Sequence, residues 1–331
     1  MLFVKNKISI APMVDRTDRN FRNFVRMINK DVLLYTEMIT AQAIINTKDL
    51  NYLLGFDKIE NPIVLQIAAT NPKEAYEAVK IAEKYDYDEI NLNIGCPSDR
   101  VSGNMMGAYL MAFPEVVADI IKAMKDATNK PISIKHRIGI DGKNILPDYF
   151  ERTLLDKYED MMNFINITKK TGVNKYIIHA RIAVLAGLDP KQNRSIPPLR
   201  YDEVYRVKNE NPDLHIEING EIKSVDEIDE HLKYTDSVMI GREIYDNPMI
   251  LTEFGKYYGK DINIIREEII EKMIYYVENM ERQSIRPHLF LMHTHGLFHN
   301  VRGSKFWKRA INDPKANSET LRKLLSEIKN Y

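Results

Sequence analysis

Ile8-Ser9-Ile10-Ala11-Pro12-Met13-Val14-Asp15 holds the first apolar run of the chain and the turn that follows it. That turn separates two folds. A doubly wound open sheet normally carries a glycine fingerprint here, so that backbone can approach a pyrophosphate. Ala11 to Asp15 contains no glycine. Working outward, similar apolar runs recur and read as strands: Ile8–Met13, Leu33–Met38, Pro62–Ala68, Glu89–Ile94, Pro131–Arg137, Lys175–Ala180, Leu214–Asn219 and Asp236–Gly241. Amphipathic stretches between them read as helices: Asp18–Asn29, Ala41–Thr47, Pro72–Lys84, Pro114–Thr128, Tyr149–Thr171, Tyr201–Asn209 and Val225–His231. Several begin with Pro in the first turn or with Ser, Thr or Asp before it, as helix starts prefer. Eight strands alternating with helices are the number that closes a parallel barrel, so the expected class is α/β with a (β/α)8 arrangement, the TIM barrel.

After Gly241 the alternation stops, and Ile264–Arg282, Pro287–Val301 and Asn317–Asn330 read as helices. Asn247-Pro248 and Gly255–Gly259 punctuate the junction. The expected division is a barrel over 1–248 and a small all-helical C-terminal domain over 249–331.

The bulk numbers bound the function. Hydrophobic residues make up 44% and charged residues 28% of the 331, enough apolar surface for a sizeable core. No apolar run approaches the ~20 residues that span a bilayer, and Met1–Lys7 has no signal-peptide character. A soluble, cytoplasmic protein without a membrane partner is expected. Basic and acidic side chains number 47 each, which argues mildly against a nucleic-acid partner. From Lys256 onward, however, 14 Lys and Arg face 9 Asp and Glu, so a basic tail keeps a polyanion partner open. The single cysteine, Cys96, cannot form an intramolecular disulfide and fits a reducing compartment. No feature points to a protein partner.

In such barrels the active site lies where the strands end. The residues there are Pro12 and Met13; Glu37 and Met38; Gln66; Asn91, Asn93 and Cys96; Lys135, His136 and Arg137; His179 and Arg181; Asn219 and Gly220; Gly241 and Arg242. A purely structural barrel has no reason to be polar at nearly every strand end. Asn219-Gly220 and Gly241-Arg242 follow strands seven and eight, the usual phosphate site, where glycine admits backbone N–H groups to an anion and Arg242 can close on it. A Lys135 buried at a strand end must be paired or functional. Three readings stand: a Schiff-base nucleophile, a contact to an electron-rich cofactor, or a salt bridge to a carboxylate such as Glu37. Asn91 and Asn93 share one side of their strand. Cys96 follows them on a loop, where a thiol can act as an acid or nucleophile. The glycine-bearing Ser102–Gly107 beyond it could swing as a lid. His288, His293, His295 and His299 fit no common zinc spacing, and no metal is expected.

Taken together, Ala11-Pro12-Met13, Thr36-Glu37-Met38, Asn91–Arg100, Lys135–Gly139, His179-Ala180-Arg181, Gly187-Leu188 and Pro190–Arg194 with Ile196–Leu199 resemble the tRNA-dihydrouridine synthases. The last run resembles the A-type branch, which acts on D-loop uridines 20 and 20a. The resemblance covers about Ile8 to Pro248 and continues faintly through Gly296–His299 and Trp307. It implies FMN as cofactor and NADPH as electron donor. It further implies that Ala11, Pro12, Met13, Gln66, Lys135, His179, Asn219, Gly220, Glu221, Gly241 and Arg242 hold FMN, that Cys96 is the proton donor, that Asn93 faces the uridine, and that Lys191 and Arg194 contact tRNA. The chemistry agrees. Reducing a uracil double bond needs a hydride at one carbon and a proton at the other, and a thiol with an ordinary pKa near ~8.5 holds its proton at neutral pH. The target base must leave its stack to be reached. The run Arg302–Arg309, with Arg302 and Lys305, would grip phosphates.

Four departures stand out. Glu221 occupies a position where the family usually has a second glycine, so its carboxylate must point away from a phosphate or weaken its binding. Ile182 replaces a basic residue and Val184 an aromatic one. The stretch 144–158 is longer than typical and has no assigned role. Rival readings are a different FMN barrel reducing a small pyrimidine or enone, an aldolase using Lys135, and a non-catalytic tRNA-binding protein.

Overall fold

The computed structural model describes residues 6–97 and 105–328. The chain's apolar runs become eight parallel strands: β1 (Ile8–Ile10), β2 (Leu34–Thr40), β3 (Ile63–Ala68), β4 (Glu89–Ile94), β5 (Ile132–Arg137), β6 (Lys175–His179), β7 (His215–Asn219) and β8 (Ser237–Ile240). Neighbours in sequence are neighbours in the sheet, and β8 lies beside β1. The sheet then closes: Ser9 of β1 pairs with Leu33, the Ile10 amide donates to the Leu33 carbonyl at 2.9 Å, and the Leu33 amide returns to Ile8 at 3.1 Å. The expected barrel is therefore formed, with no free sheet edge.

Every residue of β3 and β4 is buried, because helices cover the outer face while side chains fill the inside. Two apolar regions result. The larger lies between strands and helices. The smaller, made of Ala11, Leu33, Tyr35, Val64, Ile177 and Met239, forms part of the barrel's interior. Local signals start the helices where expected. Asp18 accepts from the Phe21 amide ahead of Arg19–Ile28, Asn71 from Glu74 ahead of Pro72–Ala82, and Ser224 and Glu227 form a capping box at Val225–His231.

Several expectations need correction. The first strand ends at Ile10, and Ala11 to Met13 belong to the loop above it. The expected helix Tyr149–Thr171 begins only at Tyr158 and ends at Thr168. The residues before it build a small three-stranded sheet, in which Ile140–Asp141 pairs antiparallel with Leu154–Leu155 and parallel with Ala183–Val184. The long stretch 144–158 is thus largely the excursion and return of a β-hairpin at the mouth. A short helix, Leu50–Leu54, had no separate expectation. Pro287–Val301 is not one α-helix but a turn of α-helix, His288–Leu291, continued by 3-10 turns over Met292–Phe298.

From Arg242 on, the described regular elements are all helical. The tail is fastened to the first barrel helix: Tyr276 donates to Asn20 at 3.1 Å, and His293 Nε2 lies 3.2 Å from Asp18. Trp307 is fully buried beside Phe298 and donates to the Thr294 carbonyl. No helix among the described residues is long and apolar enough to cross a membrane.

Candidate active site at the barrel mouth

Period-two alternation sends every second strand residue into the barrel. At the mouth this brings Gln66 of β3, Asn93 of β4, Lys135 of β5, His179 of β6 and Asn219 of β7 to one end. Asn219 is the pivot on one side. Its Oδ1 accepts from Lys135 Nζ at 3.1 Å and its Nδ2 donates to the Met239 carbonyl at 2.8 Å. Lys135 therefore pairs with a neutral amide, and the proposed ion pair with Glu37 does not form. β2 bulges between Tyr35 and Met38, and Glu37 instead accepts the Asp15 amide at 2.6 Å. Burial, reinforced by the Arg137 charge, pulls the Lys135 ammonium down to about 7.

On the other side, Asn93 Oδ1 accepts two backbone amides, Gly95 at 3.1 Å and Cys96 at 3.0 Å. This is an Asx turn that folds the loop back over the strand end. The Cys96 carbonyl accepts the Ala108 amide, and Arg137 Nε donates to the Gly95 carbonyl, both at 3.0 Å. Cys96 is part-exposed and packs near Met38, Ala68 and Met106. It is a loop residue at the mouth. Ser98, Asp99, Arg100 and the Ser102-Gly103-Asn104 of the expected lid lie outside the described residues.

Arg137 has a larger part than its motif suggested. Besides Gly95 it donates to the carbonyls of Ile182 and Asn193 at 2.8 and 3.0 Å, tying the loops after β4 and β6 together. Buried Asn193 in turn brackets Val184 with two hydrogen bonds. Ile182 and Val184 thus act here through backbone groups. Asn193 lies in the Pro190–Arg194 run, but among its polar neighbours Lys191, Gln192, Arg194 and Ser195 nothing in the sequence singles it out.

Charge at the mouth is positive. Burial, followed by the cations of Arg137, Lys135, Arg181 and Arg242, holds the His179 imidazole well below its usual range. Arg194 is lowered by burial and by Arg242 and Arg16. Its carbonyl accepts from Arg242 at 3.5 Å, and Lys191 and Arg194 are exposed on the adjoining turn. Arg16, over the Tyr245 ring at 4.2 Å, was not foreseen as part of this cluster.

Glu221 is accounted for. Its backbone is left-handed, with φ of 56°, which explains why glycine is the comfortable residue there. Its carboxylate is bound by buried Arg181 and by Lys223, and both keep it ionised below its ordinary value. It is neutralised away from the glycine pair. His136 does not belong to the site. It points outward, between Phe164 and Tyr176. Arg302 and Lys305 sit on the tail, exposed. Among the described residues no cluster could hold a metal ion.

A parallel barrel whose mouth gathers a cation, amides, a glycine pair and a loop thiol defines an enzyme class. The sequence matches the Dihydrouridine synthase (Dus) family over residues 9–331, and the chain belongs to that family. Among similar curated proteins, one from Synechocystis sp. is 44% identical over 310 residues, covering 93% of this chain and 89% of its own. One from Pseudomonas putida is 41% identical over 308 residues, covering 92% and 88%. Both are named tRNA-dihydrouridine(20/20a) synthase. The old yellow enzyme homologue of Zymomonas mobilis superposes with a TM-score of 0.52 at 10% identity, covering 80% of this chain and 92% of that one, which is a likeness of fold.

Proposed function

We propose that this chain reduces uridine to 5,6-dihydrouridine at positions 20 and 20a of the tRNA D-loop, using FMN and NADPH, in the cytoplasm. The names of relatives at 40–44% identity support the substrate, and membership of the family supports the reaction.

Three features of the mouth fit FMN. His179 Nδ1 is shielded from solvent and has no hydrogen-bond partner. A methyl at Gly241 would project toward Ala11 and Met13 at 3.6 and 3.8 Å, into space a flat ring could use. Gly220, at φ of 136°, and the cationic surroundings of Arg242 suit a phosphate. Ala11, Pro12, Met13, Gln66, Lys135 and His179 would hold the ring. Asn219, Gly220, the Glu221 backbone, Gly241 and Arg242 would hold the phosphate end. Bound there, reduced FMN supplies the hydride.

The chain's own residues do the rest. Cys96 holds a proton at Sγ and releases it to the uracil carbon opposite the hydride. Lys135, positive below about pH 7 in the bare mouth, gains charge preference beside an electron-rich ring. Among the described residues Asn93 has one amide hydrogen unused, which would meet the base. Lys191 and Arg194 on the rim, and Arg302 and Lys305 within a tRNA-binding unit over 249–331, would hold the RNA backbone.

The clamped Cys96 loop beside Lys135 is the observation that carries this reading. The aldolase alternative loses ground because the family match and the names of the relatives support uridine reduction rather than carbon–carbon bond chemistry. The test is purification followed by mass analysis of any released flavin, then incubation with NADPH and unmodified tRNA. Released FMN and dihydrouridine mapped to 20 and 20a are expected. A colourless protein, or dihydrouridine elsewhere, would overturn the cofactor or the site respectively.

A further inference from the structure

A single line of hydrogen bonds runs down the inside of the barrel from the thiol loop to its base. The Gly95 and Cys96 amides donate to Asn93 Oδ1. Asn93 Nδ2 donates to Gln66 Oε1 at 2.8 Å, and Gln66 Nε2 to Asn91 Oδ1 at 2.8 Å. Asn91 Nδ2 donates to Ser133 Oγ at 2.7 Å, and Ser133 donates to the Glu89 carboxylate. Lys175 meets Glu89 at 3.1 Å and Glu217 at 3.7 Å, and Ser9 donates to Glu217. Glu89, Asn91 and Ser133 are fully buried. The inward residues 89, 91 and 93 of β4 carry the line over roughly 13 Å of strand.

The line has one possible direction. Backbone amides at the top can only donate, and the Glu89 carboxylate at the bottom accepts from Ser133 and faces Lys175. Between these ends each amide or hydroxyl has its orientation set by its neighbour. Turning any one of them would place donor against donor inside the barrel, at the cost of buried unpaired groups. Among the described residues Asn93 is thereby left with a single unused amide hydrogen, which can meet only an acceptor such as a carbonyl oxygen.

We propose that Glu89, Ser133 and Asn91 are positioning residues for the Cys96 loop, acting from the base of the barrel through this directed line. Lys175 meets the Glu89 carboxylate at the foot of the line. The proposal rests on reading the Cys96 loop as the proton-delivering one, but its test does not need that reading.

The experiment is amide hydrogen exchange at Gly95 and Cys96 in the purified holoenzyme. Asn91→Leu removes the acceptor for Gln66, and both amides should exchange about fivefold faster or more, the equivalent of one buried hydrogen bond of about 1 kcal/mol. Amides of β7 and β8 should not change, whereas a general loss of stability would speed exchange throughout. Asn91→Asp in its protonated form keeps both the acceptor toward Gln66 and a donor toward Ser133, and should restore protection at a pH low enough to protonate it. kcat should fall in Asn91→Leu with KM for tRNA unchanged. If Asn91→Leu does not fold, Ser133→Ala, which removes one hydroxyl, should speed the same two amides at least about twofold. Unchanged exchange in whichever of these variants folds, or protonated Asn91→Asp exchanging as fast as Asn91→Leu, would overturn the proposal. Full activity in Cys96→Ala would instead sink the proton-donor reading and leave the exchange result standing.

Discussion

A methyl group added at Gly241 would sit 3.6 Å from Ala11 Cβ and 3.8 Å from Met13 Sδ, ordinary contact distances on a backbone with φ of −110°. At Gly220 the same methyl would press to 2.9 Å from Leu199 on a backbone with φ of 136°. Gly241→Ala should therefore keep its melting temperature but lose flavin, read by absorbance after gel filtration. Gly220→Ala should lose stability by about 1–3 kcal/mol. Lys135 gives a second prediction. Its ammonium titrates near 7 when folded and near ~10.4 when unfolded. Below about pH 7 the folded chain bears the full cost of a buried charge, and between about 7 and 10.4 the unfolded chain binds more protons, so this contribution makes stability rise with pH. Lys135→Met should raise the melting temperature of flavin-free protein near pH 6.5 and lose that advantage by about pH 10, while activity is abolished. An equal gain at both pH values would contradict the burial argument. Which partner Lys135 takes was not legible in the sequence, because only the bulge in β2 sends Glu37 to the Asp15 amide.

Strands and their helices were legible because burial on both faces writes a continuous apolar run, and β3 and β4 show it in every residue. The hairpin before Tyr158 was not. Its strands are two residues long, and Ile140–Asp141 pairs with Ala183–Val184, 43 residues further on, which no local pattern records. Likewise the helical tail was legible, but its breaks were not. Met292–Phe298 winds as 3-10 where Gly296 presses against the carbonyls of Tyr245 and Asp246. Trp307 anchors that region through Thr294 and Phe298. Trp307→Ala should cost about 3–5 kcal/mol in chemical denaturation. A loss under about 1 kcal/mol would mean that the tail does not depend on this anchor.

Across the whole molecule, zero net charge hides a division of labour. The tail from Lys256 is basic and the body correspondingly acidic, apart from a cationic mouth. A flexible polyanion would thus be held at two places, the rim and the tail. Arg302→Glu combined with Lys305→Glu should weaken tRNA binding and lower the slope of log Kd against log salt by roughly 1.5, about two phosphate contacts. The turnover of bound tRNA should stay unchanged. An unaltered salt slope would remove the tail from the RNA interface.

The proposed chemistry stands or falls on proton delivery from Cys96 to a uracil carbon. Single-turnover formation of dihydrouridine in unmodified tRNA, followed by mass spectrometry for the native enzyme and for Cys96→Ala with equal flavin content, tests it most directly. A rate lower by about 10²–10⁴ is expected in the variant, the usual contribution of a positioned acid. Equal rates would contradict it.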